Sequence, residues 1–391
     1  MPNSQKVDKE LMKKNNMKLL FNNIHRASQI SKAQIAENIQ MSIMSVNRIT
    51  DDLNRMGLVI EQNSTVQSGV GRPPKILSVN SENLMSLGVD LQRDHFVIGL
   101  VDPYGKIIKS KRIPLTQKQF LPEVVLPFLA EKIKAFQEGL RGRKVLPLIG
   151  VAIPGIVDSE AGCVQFSSHF KWHDVPVKSI LHQSLPEFDF IVENDIKVIA
   201  IAENRFGAAA GHRNSVILNI GEGIGAAVII NGDIYHGKDN LAGEIGHIII
   251  NPQGRLCECG QIGCLQTNIA EWAILREANS MVAGITLDRL FEEYDRGTAW
   301  VTNLIDSVVD YTAITINLLA NTYSPEIILL CGSLIQQYPR FRELIRNNYR
   351  RHLNQYIKNI FELKYETFGE EARLMGSGII TFNQYLDRIF N

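Results

Sequence analysis

Apolar residues recur three and four positions apart at Met17, Leu20, Phe21 and Ile24, which predicts one buried face on a helix over about residues 7–26. A second helix is expected from Ser31, a side chain suited to capping it, with Ile35, Ala36 and Ile39 facing inward. After the short link Gln40-Met41, Ser42 is placed to cap a third helix over 43–56, whose Val46, Ile49 and Leu53 turn inward and which stops at Gly57. Three short helices with a tight second turn predict a helix-turn-helix. The apolar runs 58–61 and 76–79, on either side of a polar, Gly-containing stretch, add a wing.

From Leu84 the pattern changes to continuous apolar runs: 85–90 and 95–102, read as a hairpin, then 145–153, 190–195, 215–225 and 327–333. Each ends at or next to a Gly or an acid, the run 145–153 leading into Pro154-Gly155, as expected where strand ends build a ligand cleft in an α/β fold.

The 391 residues suggest two or three domains, and 41 Lys and Arg balance 41 Asp and Glu. That balance conceals an asymmetry. The first eighty residues hold eleven Lys and Arg against six Asp and Glu, a surplus of five positive charges that the remainder offsets. A basic head on an acidic body points to nucleic-acid binding, with a three-helix protein-interaction module as the alternative.

In such a head the third helix enters the major groove, and Ser42, Met44, Ser45, Asn47 and Arg48 are its candidate contacts. Arg48 suits guanine, Asn47 adenine and Met44 a thymine methyl. Arg72, in Gly71-Arg72-Pro73-Pro74, fits a narrow minor groove or a phosphate, and the same segment also fits a rigid interdomain linker. The longest run without a charged residue, 311–325, is shorter than the ~18 to 20 residues of a membrane span. The basic N-terminus has no apolar segment behind it, so a cytoplasmic protein is expected.

Three of the five cysteines, Cys257, Cys259 and Cys264, crowd together behind His247 with the spacing H-x9-C-x-C-x4-C. This Cys3His set suits closed tetrahedral Zn2+, and a disulfide is the weaker reading in a reducing compartment. With all four positions filled by protein, the zinc is expected to be structural and to hold the loop bearing Glu244 and His247. Cys163 and Cys331 are expected to be inert buried thiols.

Ala242-Gly-Glu244-Ile-Gly-His247, followed by Cys257-Glu-Cys259-Gly-Gln-Ile-Gly-Cys264-Leu-Gln266, is similar to both signatures of the ROK family (repressors, open reading frames and kinases). The winged head places the resemblance, which covers nearly the whole chain, with the transcriptional repressors of that family. It implies an α/β fold in which an N-terminal winged helix-turn-helix precedes a two-lobed actin-like ATPase body of the sugar-kinase type. The expected division is 1–80 for the head, 81–195 plus 376–391 for the first lobe, and 196–375 for a second lobe with the zinc site and a dimerisation surface.

By the same resemblance Asn194, Asp195, Glu244 and His247 match sugar-binding positions, and the Pro154-Gly155 turn forms a wall. Surface acids following strands are the alternative reading. Two departures stand out: Gln266 replaces a Glu, and His169 stands where Asn is common among the sugar contacts.

A kinase of this family needs a glycine-rich Asp-x-Gly-Gly-Thr/Ser hairpin for the ATP phosphates. Here it reads Asp90-Leu91-Gln92-Arg93-Asp94, and Glu222 sits in the second phosphate loop where kinases carry Thr. A carboxylate ~4 Å from a phosphate oxygen costs about 4 kcal/mol per charge pair at an effective dielectric of 20. Asp195, matching the catalytic base, is therefore read as a sugar ligand, and no enzymatic activity is expected.

The leading expectation is a homodimeric or homotetrameric repressor of a carbohydrate operon, which releases operator DNA when a small neutral sugar enters the cleft. Xylose is the first candidate. A sugar kinase with a DNA-binding head and a regulator controlled by a protein effector are the alternatives.

Overall fold

The computed structural model describes residues 2–63, 75–116 and 120–390. The head comprises α1 (Pro2–Ala27), β1 (Ile30–Ser31), α2 (Lys32–Asn38), α3 (Ile43–Arg55), β2 (Val59–Asn63) and β3 (Lys75–Val79). The first helix thus begins ahead of the expected residue 7. Ser31 and Gln34 form a capping box on α2: Ser31 Oγ accepts from the Gln34 N–H (3.3 Å), and Gln34 Oε1 accepts from the Ser31 N–H (3.1 Å). Ser42 caps α3 by accepting from the Ser45 N–H at 3.2 Å, and Val46, Ile49 and Leu53 are buried beneath it. β3 pairs antiparallel with both β1 and β2. The segment 64–74, with Arg72, lies outside the described residues.

The body begins with β4 (Ser86–Leu91), β5 (His95–Val101), β6 (Ile107–Pro114), α4 (Pro122–Glu138), β7 (Leu148–Ile153), β8 (Ile156–Asp158), β9 (Cys163–Ser167), β10 (Trp172–Val175), α5 (Val177–Ser184) and β11 (Asp189–Asn194). These build a sheet of order β11-β7-β4-β5-β6 and a small sheet β10-β9-β8. The expected strand over 145–153 starts only at Leu148, because Pro147 has no N–H for the ladder.

Next come α6 (Asp195–Phe206), β12 (Ser215–Ile220), β13 (Ile224–Ile230), β14 (Asp233–Ile234), α7 (Gln266–Ile269), α8 (Glu271–Met281), α9 (Leu287–Asp295) and α10 (Ala299–Tyr323). The chain closes with β15 (Ile327–Cys331), α11 (Ser333–Gln337), α12 (Pro339–Asn348), β16 (Glu362–Tyr365) and α13 (Glu371–Phe390). The second sheet, β14-β13-β12-β15-β16, repeats the layout of the first: an antiparallel meander joined to two parallel strands.

Both sheets are covered on both faces, which is why their inner strands read as unbroken apolar runs. α4 and α5 share the core on one face of the first sheet, and α13 packs on the other. α6 lies between α13 and the second sheet, whose far face is covered by the helices from α7 to α12. Cys331 is buried, as expected. Cys163 is not: it lies half-buried on the small sheet at the edge of the fold, although burial still pushes its thiol upward.

The head is not an independent unit. Met17, Leu20, Phe21 and Ile24 share one apolar cluster with Phe382, Leu386 and Phe390 of α13. No helix of the described residues is long and apolar enough to cross a membrane.

Candidate functional site

The ends of β4, β7, β11, β12 and β15 open on one cleft of about 500 Å³. Gly155, His169, Asn194, Asp195, Glu244 and His247 all line it. Asn194 caps α6: its Oδ1 accepts from the N–H groups of Ile196 (2.9 Å) and Lys197 (3.1 Å), and its Nδ2 donates to the Gly155 carbonyl at 2.9 Å. The amide thus fixes Asp195 and the wall in place. Gly155 has φ 132°, and a Cβ there would fall 2.4 Å from the Phe166 carbonyl oxygen, so the wall tolerates no side chain.

Asp195 is the first residue of α6. Burial pushes its carboxyl upward, with Arg373 and then His169 pulling the other way and the charge of Asp90 adding to the rise. Burial likewise raises Glu244, against the pull of Lys197. Uncharged hydroxyls suit such a floor, since carboxyl oxygens are satisfied by O–H donors.

The other half of the cleft is lined by residues 221–225, Gly332 and Ser333. Glu222 and Glu271 stand there, and Ser333 Oγ donates to Glu271 Oε1. Asp90 has both carboxylate oxygens engaged: Arg373 Nε donates to Oδ2 at 3.0 Å and Gln92 Nε2 to Oδ1 at 2.6 Å.

His169 Nε2 lies 3.5 Å from Glu222 Oε2. This contact raises the imidazole above 6.5 and lowers the Glu222 carboxyl below 4.5. A raised folded-state value stabilises below pH 6.5 and fades as pH climbs through it. The lowered carboxylate stabilises above pH 4.5 and fades as pH falls, so the pair contributes most between those limits. Glu222→Gln is expected to move the His169 ring-proton titration in NMR downward; an unmoved curve would refute the pairing.

His247, Cys257, Cys259 and Cys264 place one ligand atom each within 4.8 Å of one another. Antiparallel bridges Ile249↔Cys264 and Leu256↔Ile262 fold the intervening loop into a narrow hairpin that returns Cys264 to the side of His247. Cys257 Sγ lies 3.6 Å from His247 Nδ1, and Cys259 Sγ 3.6 Å from Cys264 Sγ. A tetrahedral ion with bonds of 2.0 to 2.3 Å separates its ligands by about 3.5 to 3.7 Å, so the set fits a metal ion. The two expectations for His247 are compatible, because Nδ1 faces the cluster while the residue also lines the cleft. Gln266 Nε2 donates to Cys257 Sγ at 3.1 Å. The amide can stabilise a thiolate at Cys257, so this departure from the signature is compatible with a metal at the cluster.

The profile of the ROK family matches residues 86–383. The chain belongs to the ROK family. Over 97% of its length it is 29% identical to the xylose repressor of Bacillus spizizenii, 98% of which is covered. It is 30% identical to the N-acetylglucosamine repressor of Escherichia coli O6:H1, across 84% of this chain and 82% of that protein. A solved ROK family transcriptional regulator, homologous to the E. coli MLC protein, superposes with a TM-score of 0.81 at 24% identity, covering 97% of this chain and 98% of that one, and so shares its fold.

On the head of this ROK chain, Ser42, Met44, Asn47 and Arg48 are exposed along one side of α3, Met44 by 79%. Ser45 is half-buried, and its hydroxyl accepts from Ser42 Oγ at 2.9 Å, so both serines serve the helix start first. Ile43 is exposed on the same side and was not anticipated.

Two cations at the ROK cleft were also missed, Arg373 and Lys197. Lys197 is buried and donates to the Asn240 carbonyl at 2.7 Å. Lys197 sits among the apolar residues Ile196 and Val198 to Ala202, a weak signal, whereas Arg373 follows Glu370 and Glu371 and gave none.

Proposed function

We propose that this ROK chain is a sugar-responsive DNA-binding transcriptional repressor and not a kinase. The observation that carries the reading is the state of the cleft behind an exposed, well-capped α3. Its sugar half keeps Asp195, Glu244 and His247 on hand, while its other half presents Glu222 and Glu271 to a nucleotide, with Asp90 buried behind it and paired to Arg373. The xylose repressor of Bacillus spizizenii matches over 97% of the chain, and the N-acetylglucosamine repressor over 84% of it, which supports the reading.

In this reading Arg48, Asn47 and Met44 contact operator bases, Ser42 and Ser45 hold the start of the helix against the backbone, and Arg72 reaches the minor groove or a phosphate. The head, 1–80, and the two lobes form a homodimer or homotetramer in the cytoplasm. His247, Cys257, Cys259 and Cys264 hold Zn2+, which supplies a cross-link rather than chemistry and keeps Glu244 in place.

A sugar that binds the closed cleft better than the open one shifts the chain towards a state with weaker operator affinity. The zinc-loaded protein should therefore melt higher with xylose or another single neutral sugar and not with ATP. A shift with ATP would return the kinase reading, and silence from neutral and phosphorylated sugars alike would end the sugar reading. On duplexes selected by the full chain from a random pool, Arg48→Ala should cost about 1–3 kcal/mol of affinity and relax one base position. Gel-shift titration with the selected and single-substituted duplexes measures both; unchanged binding would remove Arg48 from the base contacts.

A further inference from the structure

The two helices between the sheets each have one end at the cleft and the other at the head. α6 starts with Asp195 and, about 15 Å further along, carries Arg205, whose Nη2 donates to Nδ1 of His25 on α1 at 2.8 Å. α13 carries Arg373, the partner of Asp90 at the cleft, near its start, and Phe382, Leu386 and Phe390, which complete the head's core, towards its end. The helices are locked where they cross, because a Cβ on Gly376 would lie 2.0 Å from the Val198 carbonyl oxygen. At that crossing the backbones touch, and Ile199 and Ala202 of α6 share a core with Met375 and Ile379 of α13, so a displacement at Asp195 and Arg373 is carried by the pair as a unit.

His25 is buried at the joint, its ring 5.1 Å from the rings of both Tyr104 and Phe382. A guanidinium can only donate, so Nδ1 is the acceptor, Nε2 carries the hydrogen, and the Pro103 carbonyl receives it at 2.7 Å. Burial and then the Arg205 charge hold the imidazole pKa at about 4, which keeps it in this neutral form. The imidazole therefore binds α6 with one nitrogen and the turn after β5 with the other. If the helix pair shifts against that turn, no single placement of the head keeps both bonds.

We propose that the α6–α13 pair relays occupancy of the cleft to the DNA-binding head, with Arg205 and His25 as the positioning residues that set the head's angle. This rests on reading the cleft as the effector site.

The test uses the full chain, duplexes it selects from a random pool, and xylose, N-acetylglucosamine and their phosphates as probes. Calorimetry reads sugar affinity, and DNA titration reads duplex affinity with and without sugar. In the wild type, the sugar that binds should weaken DNA binding about 10- to 100-fold. Arg205→Met should keep the sugar affinity and the sugar-free DNA affinity within about threefold, yet show less than about threefold weakening on adding sugar, a collapse of that coupling.

His25→Gln, whose amide accepts from Arg205 and donates to Pro103, should retain most of the coupling, which a merely space-filling histidine would not predict. His25→Leu keeps the ring packing apolar and removes both bonds; it should behave as Arg205→Met does, and replaces it should that variant fail to fold. Full wild-type weakening in Arg205→Met or His25→Leu overturns the relay alone. A wild type that binds sugar without any change in DNA affinity, or binds none of the probes, overturns the effector reading and the relay with it.

Discussion

Cys264→Ser is expected to lower the melting temperature by on the order of 10 °C and to weaken sugar binding at least about tenfold, while operator binding survives at low temperature. Cys264 is buried, and it closes the bridge to Ile249 that folds the cluster loop. The next residue extends the tie, since the Leu265 N–H donates to the Ile248 carbonyl at 2.9 Å. A serine hydroxyl is a poor metal ligand at neutral pH, so three donors remain around a site that suits four.

Glu244 immediately precedes the short 3-10 turn Ile245–His247, and Gln266 reaches from the start of α7 to Cys257 Sγ. Loss of the ion therefore loosens two cleft walls at once, whereas α3 has no part in the loop. Metal content by mass spectrometry, calorimetric melting and xylose titration check the three parts together, and treating the wild type with a chelator should reproduce them. A variant that has lost its metal yet melts and binds sugar as before would show that the cluster does not support the cleft.

Much of this was legible in the chain because the signals are local. The spacing of Val46, Ile49 and Leu53 and the two capping serines marked the helix-turn-helix. Unbroken apolar runs marked strands covered on both faces, and H-x9-C-x-C-x4-C marked the cluster. What stayed hidden depends on tertiary partners. Phe382, Leu386 and Phe390 repeat every four residues as on any amphipathic helix, and nothing local says that the surface they cover belongs to the head. Glu203 and Arg373 look like solvent-facing charges until the groups they bind are known. Cys163 was misjudged for a related reason, since its half-burial depends on the small sheet it lies on and not on its neighbours in the chain.

Glu203 carries the second large expectation: Glu203→Ala should cost about 3–5 kcal/mol, enough to lower the melting temperature by roughly 4–6 °C. Its side chain is fully buried on α6. Oε1 accepts from the N–H groups of Thr367 (2.6 Å) and Phe368 (3.2 Å), just ahead of α13, and Oε2 accepts from the Ala208 N–H at 2.9 Å. Truncation leaves three backbone donors unpaired at a site with little access to water, and each such donor costs about 1–3 kcal/mol.

Glu203→Gln retains one acceptor oxygen but turns an N–H towards existing donors, so it should fall between wild type and Ala. The loss should concentrate at the α6–α13 junction, with faster amide exchange at Thr367, Phe368 and Ala208 before any change in the β12–β13 hairpin. Denaturant unfolding measures the first part and hydrogen exchange the second. An Ala variant within about 1 kcal/mol of wild type would mean that these three amides find other acceptors, and that the carboxylate does not hold the two helices together.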